Sequence, residues 1–178
     1  MIYMVDHIYT DPVTEPDWHA WYSGYLHKLL SVPGIHSTQR FKAVDHTPAR
    51  FLAMYSIDSA DVYTSQGYKN IGGGGSQSAR FHGHYQMWTR NLFEGAEVAP
   101  ILDEGQRVLV FDRAERGGGN PVESRATWVR SVGLHLTTPW RAFIVLDADE
   151  TVPAVPGSFL YAPFTAAMTK PTYIVPIE

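Results

Sequence analysis

One amphipathic helix near the start of the chain constrains the fold more than any other feature of the sequence. The segment from Thr14 to Leu30 begins with residues typical of a helix N-terminus, and Pro33-Gly34 ends it. Its apolar residues recur at the spacing of a single buried face: Trp18, Trp21, Tyr22, Tyr25, Leu26, Leu29 and Leu30. This spacing predicts a helix that packs one side against another layer of the protein.

The segments around this helix favour strands. Residues 2–9 are rich in Ile, Tyr, Met and Val, a composition typical of a strand. The other elements predicted in this half are strands at 35–43, 51–57 and about 80–91, and a shorter helix at 61–71 that the glycine run 72–75 ends. The order β-α-β-β-α-β is that of a split βαβ unit.

The second half repeats the strand order with little helix. Strands are predicted at 107–111, 126–136, 141–147 and 172–177, with proline-rich connections at 153–163. We therefore expect an α+β fold built as a degenerate tandem of two split βαβ units. Residues 1–95 would form the first unit, 96–106 a connection, and 107–178 the degenerate second, strand-rich unit.

Composition excludes several classes of protein. The 178 residues, 44% of them hydrophobic, suffice for a sizeable core. The formal charge of −4 argues against a nucleic-acid-binding protein, and no apolar run approaches the roughly 20 residues of a membrane-spanning helix. The absence of cysteine removes disulfides, thiol nucleophiles and Cys-type zinc sites. The first residues do not read as a signal peptide, so we expect a cytoplasmic protein.

Several short segments carry a resemblance to a known superfamily. They are Trp18-His19-Ala20-Trp21-Tyr22, Leu29-Leu30-Ser31-Val32-Pro33-Gly34, Gln39-Arg40-Phe41, Tyr68-Lys69-Asn70-Ile71-Gly72-Gly73 and Trp88-Thr89-Arg90-Asn91-Leu92-Phe93. Residues 1–95 resemble the ferredoxin-like dimeric α+β barrel superfamily, in particular its EthD/monooxygenase-like members and one bacterial branch among them. The resemblance implies a ferredoxin-like α+β barrel for this chain. The superfamily includes cofactor-independent monooxygenases, lactone isomerases, cyclases, dehydratases and haem enzymes, so the resemblance limits function little.

This sequence departs from the superfamily in its first helix. Relatives often carry histidine seven or eight residues before the Pro-Gly turn, and here Tyr25 occupies the position eight before Pro33. The nearest histidine, His27, lies two residues further on, a turn of about 200° around the helix. The resemblance therefore implies a site role for Tyr25, as a hydrogen-bond donor to a developing enolate.

Two polar residues of the second strand are candidates for acid/base chemistry. If the face with Ile35 and Phe41 packs on the helices, His36 and Arg40 point into the barrel. Arginine would bind a substrate anion and histidine would move a proton. His7 of the first strand is a further candidate, although the neighbouring Asp6 points to the opposite face and is equally eligible.

The pair His82 and His84 is a candidate metal site. Positions i and i+2 of a strand share a face, so both imidazoles would project together as half of a metal site. His7 or His36 would supply further ligands. The alternative is that both histidines make ordinary hydrogen bonds at the barrel surface. His84 is also a candidate base.

These residues support three hypotheses about function. The first is a small cofactor-independent lyase or isomerase that acts on a carboxylated, cyclic or aromatic-derived catabolite through an enolate. The second is an oxygenase, either cofactor-free or dependent on haem or a His-ligated divalent transition metal. The third is a non-catalytic accessory protein that binds a small molecule. The expected partners are a small-molecule substrate and a second copy in a homodimer, with neither nucleic acid nor membrane.

Overall fold

A computed structural model describes residues 1–73, 76–117 and 119–170. The strands are β1 (Ile2–Tyr9), β2 (Ile35–Ala43), β3 (Arg50–Ile57), β4 (Tyr85–Glu94), β5 (Arg107–Arg113), β6 (Thr127–Leu134), β7 (Trp140–Leu146), β8 (Phe159–Pro163) and β9 (Met168–Thr169). The helices are α1 (Glu15–Leu30), α2 (Gln66–Asn70) and α3 (Pro121–Ser124), with 3₁₀ turns at Ala60–Thr64 and Ser76–His84. In these residues no helix is long and apolar enough to cross a membrane.

Eight strands close into an antiparallel barrel. Their order is β3-β1-β4-β6-β7-β5-β8-β2, and β2 pairs back onto β3. The short β9 pairs with β2 at Ser37 and Thr38. The predicted α+β barrel is therefore confirmed. One chain closes the barrel by itself, and the homodimer stays a prediction.

The two halves of the chain pair their strands in the same order. β1 lies between β3 and β4, and β3 also pairs with β2. In the second half β5 lies between β7 and β8, and β7 also pairs with β6. The pairs β4–β6 and β2–β8 join the halves.

Several predicted elements are corrected by the structure. Residues 80–84, predicted as strand, belong to a 3₁₀ turn, and β4 begins only at Tyr85. The predicted helix 61–71 is split into a 3₁₀ turn and α2, and the proline-rich connection at 153–163 contains β8. The strand predicted at 172–177 lies outside the described residues.

All eight residues of β1 are buried because both of its faces are covered. Ile2 and Met4 belong to an apolar cluster inside the barrel, while Tyr3, Val5 and Tyr9 belong to a second cluster beneath α1. The predicted helix α1 is confirmed, and its buried residues Trp18, Tyr22, Leu26 and Leu29 pack on this outer face. The barrel is thus a filled core, and α1 covers one side of it.

The segment between the halves contributes to this interior. Ala99 and Leu102 are buried in the cluster inside the barrel. The Gln39 side chain donates to the Leu102 carbonyl at 2.8 Å and accepts from the Leu102 N–H at 2.9 Å. The barrel interior is consequently occupied by protein.

A β-bulge at the start of β2 reverses the predicted assignment of its faces. The register with β3 shifts between Ile35 and Ser37, so Ile35 joins the cluster beneath α1 while Phe41 enters the barrel. Arg40 therefore lies under α1, not in the barrel, and His36 is exposed at the edge of the sheet. The expectation that His36 and Arg40 point into the barrel is wrong, because one extra residue exchanges the faces of the strand.

Candidate functional site

One cavity in the described part of the chain lies outside the barrel, between the sheet and the helical segments. Its empty volume is about 670 Å³, including the open mouth. An aromatic lining with few polar groups is typical of small-molecule sites. The aromatic residues that line it are Tyr3, Trp21, Tyr22, Tyr25, Tyr55, Tyr63, Tyr68, Tyr85 and Trp88.

A bulge in β4 brings its side chains to this cavity. The register with β1 shifts between Asp6 and Ile8, where β4 places the two residues Met87 and Trp88 opposite His7. Met87 has a φ of 49°, the left-handed region that an unbranched non-glycine residue rarely adopts. Because of the extra residue, Tyr85 shares the cavity face with Trp88 and Arg90.

His7 lies at the inner side of the cavity and has an unusual environment. It is 2% exposed, and neither ring nitrogen has a hydrogen-bond partner. Its ring centroid lies 5.0 Å from that of Trp18 and 5.4 Å from that of Tyr85. Burial, and after it the positive charge of Arg40, lowers the pKa of His7 to about 3, so the imidazole is neutral at physiological pH. Buried polar atoms are rarely left unpaired, so His7 is a candidate functional residue.

Tyrosine hydroxyls surround the same space. The Tyr22 and Tyr55 hydroxyls lie 3.0 Å apart, and the Trp18 indole donates to the Tyr85 hydroxyl at 3.0 Å. The Tyr63 hydroxyl is buried without a hydrogen-bond partner. Burial raises the pKa of Tyr22, Tyr55 and Tyr63, so these phenols stay protonated and can donate hydrogen bonds.

Arg40 sits behind the cavity wall without a carboxylate partner in the described part of the chain. Its guanidinium carbon lies 4.1 Å from the centroid of the Tyr22 ring and 4.7 Å from that of Trp18. One guanidinium nitrogen contacts His19 Nδ1 at 3.1 Å, and another is buried without a partner. Arg40 does not line the cavity, so its positive charge acts on the site through Tyr22 and His7.

The structure separates the candidate residues predicted from the sequence. His7 and Tyr25 line the cavity, and Tyr25 stacks on Trp21 with ring centroids 5.3 Å apart. His36 lies on the outer surface, where its Nε2 is 2.5 Å from a carboxylate oxygen of Asp58. Arg40 lies behind the wall.

His82 and His84 do not share the face of a strand, as the sequence led us to expect. Both lie in the 3₁₀ turn Ser76–His84, where residues i and i+2 point in different directions. His82 Nε2 is 2.7 Å from the Ser78 hydroxyl, and His84 Nε2 is 3.6 Å from an Asp11 carboxylate oxygen. Within the described ranges no group of three or more His, Cys, Asp or Glu side chains could hold a metal ion.

Sequence reasoning missed Tyr85, Trp88 and Arg90 as site residues. The signal for Tyr85 and Trp88 was the abundance of aromatic residues, 13% of the chain, which also serves the core. The bulge that turns Tyr85 outward has no recognisable pattern in the sequence. These residues became candidates only when β4 was seen beside His7.

Comparisons with known proteins inform the fold alone. No protein-family model and no curated protein matches the sequence. A solved structure described as a crystal structure study of an anthrone oxidase-like protein superposes with a TM-score of 0.59. The two are 11% identical, and the match covers 94% of this chain and 92% of the other. The barrel architecture is therefore shared with that protein over nearly the whole chain.

The neutral state of His7 predicts how stability changes with pH. Its folded pKa of about 3 lies below the ordinary value near 6.5, so between these values the unfolded chain binds the additional proton. The stability that neutral His7 contributes is fully present above pH 6.5 and is lost as the pH falls. Between pH 7 and pH 5 we expect His7 to cost about 2 kcal/mol of unfolding free energy, as measured by urea unfolding. Burial and the charge of Arg40 lower the pKa of His19 to about 4, so His19 adds a similar loss of stability toward low pH.

The His7→Phe variant isolates this contribution. Phenylalanine does not titrate. Between pH 7 and pH 5 the variant should therefore lose about 2 kcal/mol less unfolding free energy than the wild type. Parallel pH profiles for the two proteins would contradict a neutral buried His7.

Proposed function

We propose that the protein is a small cofactor-independent enzyme that removes a proton from a flat, aromatic-derived substrate bound in the cavity. The observation that carries the proposal is His7, a buried and unpartnered neutral imidazole on the wall of an aromatic cavity. A neutral imidazole is a proton acceptor, and a positioned base typically accelerates proton transfer by about 10²–10⁴-fold.

The shape and lining of the cavity support a flat aromatic substrate. Tyr3 lies between two other rings, with centroids 5.2 Å from Tyr55 and 4.6 Å from Tyr63. The Trp21–Tyr25 stack provides a second flat surface. Aromatic surfaces favour offset-stacked and edge-on ring contacts, which a planar ligand provides.

The electrostatics couple proton transfer to formation of an anion. In the empty cavity an imidazolium at His7 is disfavoured by burial and by Arg40. An enolate that forms beside it stabilises the imidazolium, so His7 gains basicity as the substrate loses its proton. The Tyr22 and Tyr55 hydroxyls would donate to the enolate oxygen, with Arg40 behind Tyr22 adding positive charge.

The enolate has two fates, and these distinguish the lyase or isomerase from the oxygenase. Return of the proton at another carbon, or loss of a leaving group, gives the lyase or isomerase. Reaction with O₂ converts a methylene into a carbonyl and releases one water, with no cofactor required. The likeness in fold to an anthrone oxidase-like protein favours the oxygenase as the second candidate function.

We also propose that the barrel is a degenerate tandem of two ferredoxin-like split βαβ units. The matching strand order of the two halves and the reciprocal pairs β4–β6 and β2–β8 support it. The four-residue α3 occupies the place that α1 occupies in the first unit. Only the first half therefore retains a long helix beside its sheet to border a cavity.

Anthrone, a flat aromatic ketone with an acidic methylene, tests the function. In anaerobic D₂O buffer at pH 7, we expect the protein to accelerate entry of deuterium at the methylene, as measured by mass spectrometry. In air, uptake of O₂ with formation of anthraquinone would indicate the oxygenase. Exchange at the rate of buffer alone, at protein concentrations that bind anthrone, would overturn proton abstraction and leave the binding function.

A further inference from the structure

Arg90 is the one charged side chain among the described residues that line the cavity, since His7 is neutral. It projects from β4 beside Val5 of β1, with its guanidinium carbon 4.7 Å from the centroid of the Trp88 ring. In the described part of the chain it forms no ion pair with a carboxylate. Its Nε is buried and has no hydrogen-bond partner. A guanidinium in this state has unfilled donors beside the cavity.

The neighbouring His135 does not fill all of those donors. The Arg90 backbone N–H donates to His135 Nδ1 at 3.3 Å, and the backbone N–H of His135 donates to the Arg90 carbonyl at 3.0 Å. Arg90 Nη2 lies 3.5 Å from His135 Nε2. A neutral imidazole accepts at one ring nitrogen only, so it cannot accept from both the Arg90 backbone N–H and Nη2. Arg90 Nε has no partner in either case, and an anion beside the guanidinium would accept from the donors that His135 leaves unfilled.

We propose that Arg90 binds the carboxylate of the substrate, which makes the substrate class a flat aromatic acid. This inference rests on the proposed function and adds a carboxylate group to its substrate. The planar fork of arginine matches the two oxygens of a carboxylate, and such charge-assisted pairs are stronger than neutral hydrogen bonds. The ring of Trp88 lies within cation–π distance of this fork.

The position of Arg90 also sets where the carboxylate lies relative to the reacting carbon. Arg90 pairs in register with Val5, two residues along β1 from His7. One strand across and two residues along correspond to roughly 8 Å between the two backbones. The carboxylate would therefore be attached about one ring away from the carbon that loses its proton.

A matched pair of ligands tests the assignment. The probes are naphthalene-2-carboxylate and its neutral analogue naphthalene-2-carboxamide, with Kd measured by quenching of protein fluorescence at pH 7.5. We expect the wild type to bind the carboxylate at least tenfold more tightly than the carboxamide. Arg90→Gln should abolish this preference and leave carboxamide binding within twofold. Arg90→Lys, which keeps the charge and loses the fork, should retain part of the preference.

The control is Arg125→Gln, which removes one positive charge from an exposed ion pair with Glu150 in the second half of the chain. Arg125→Gln should retain the full preference for the carboxylate over the carboxamide. This result would show that the preference depends on a local contact with Arg90 and not on the net charge of the protein. Equal binding of the two ligands to the wild type, or an unchanged preference in Arg90→Gln, would overturn the role of Arg90 while leaving the aromatic cavity in place. Failure of both ligands to bind the wild type would overturn the aromatic site and the carboxylate assignment with it.

Discussion

The His7→Phe variant should exchange the methylene protons of anthrone at least about 100-fold more slowly than the wild type. Phenylalanine preserves the ring among Trp18, Tyr22 and Tyr85 and removes both nitrogens, so packing is retained while the base is lost. The measurement is the first-order rate of deuterium incorporation under anaerobic conditions. Anthrone binding should stay within a few-fold, because stacking does not depend on the imidazole.

Two other variants make this test specific. His36→Phe replaces the histidine that the sequence favoured as a base, and the structure places it on the outer surface beside Asp58. We expect its exchange rate to lie within twofold of the wild type. Tyr22→Phe removes one hydroxyl donor and should slow exchange about tenfold or more, because it weakens stabilisation of the enolate. A normal rate in His7→Phe together with a slow rate in His36→Phe would reverse the assignment of the base.

Replacing Asp6 with asparagine should destabilise the fold by about 3–5 kcal/mol. Asp6 is 3% exposed inside the barrel, where its carboxylate accepts from Arg50 at 3.0 Å, Arg141 at 2.5 Å and the Tyr161 hydroxyl at 3.1 Å. Asparagine is similar in size, but it removes the negative charge between two arginines and points an amide donor at them. At about 2–4 °C per kcal/mol for a chain of this length, the melting temperature should fall by roughly 6–20 °C.

Asp112→Asn is the matched control. Asp112 binds the same Arg141 at 2.7 and 3.0 Å, but its side chain is 43% exposed, so water can replace part of the interaction. We expect its loss of unfolding free energy to be well below that of Asp6→Asn. Equal effects of the two substitutions in thermal unfolding would show that burial does not set the strength of this network.

The Asp6 carboxylate also makes the folded state less stable at acidic pH. Burial opposes ionisation of Asp6, but Arg141 and Arg50 outweigh it and lower the pKa below the ordinary range. A lowered carboxyl pKa contributes stability that is present above the unfolded value near 3.9 and is lost as pH falls through the folded value. The loss due to Asp6 therefore begins at a lower pH than the loss due to His7.

Part of the candidate site could be predicted from the sequence. Tyr25 was singled out on the apolar face of α1 and His7 on β1, and both line the cavity. Both lie where the chain has no irregularity, so the period of the helix or strand gives the direction of the side chain. Arg40 is predicted to point into the barrel and bind a substrate anion, but it lies on the other side of the sheet, beneath α1.

The sequence by itself determined the helix α1 and the order of elements in the first half. These follow from periodic apolar spacing and from Pro33-Gly34, which act locally along the chain. The α+β barrel was implied by the resemblance of residues 1–95 to a known superfamily. Tertiary structure alone decided which face of each strand meets the cavity. The bulges at Ile35/Ser37 in β2 and at Met87 in β4 each add one residue and exchange the inward and outward faces beyond it. Because a bulge is set by pairing with another strand, the directions of the Arg40, Tyr85 and Arg90 side chains do not follow from the period of their own strands.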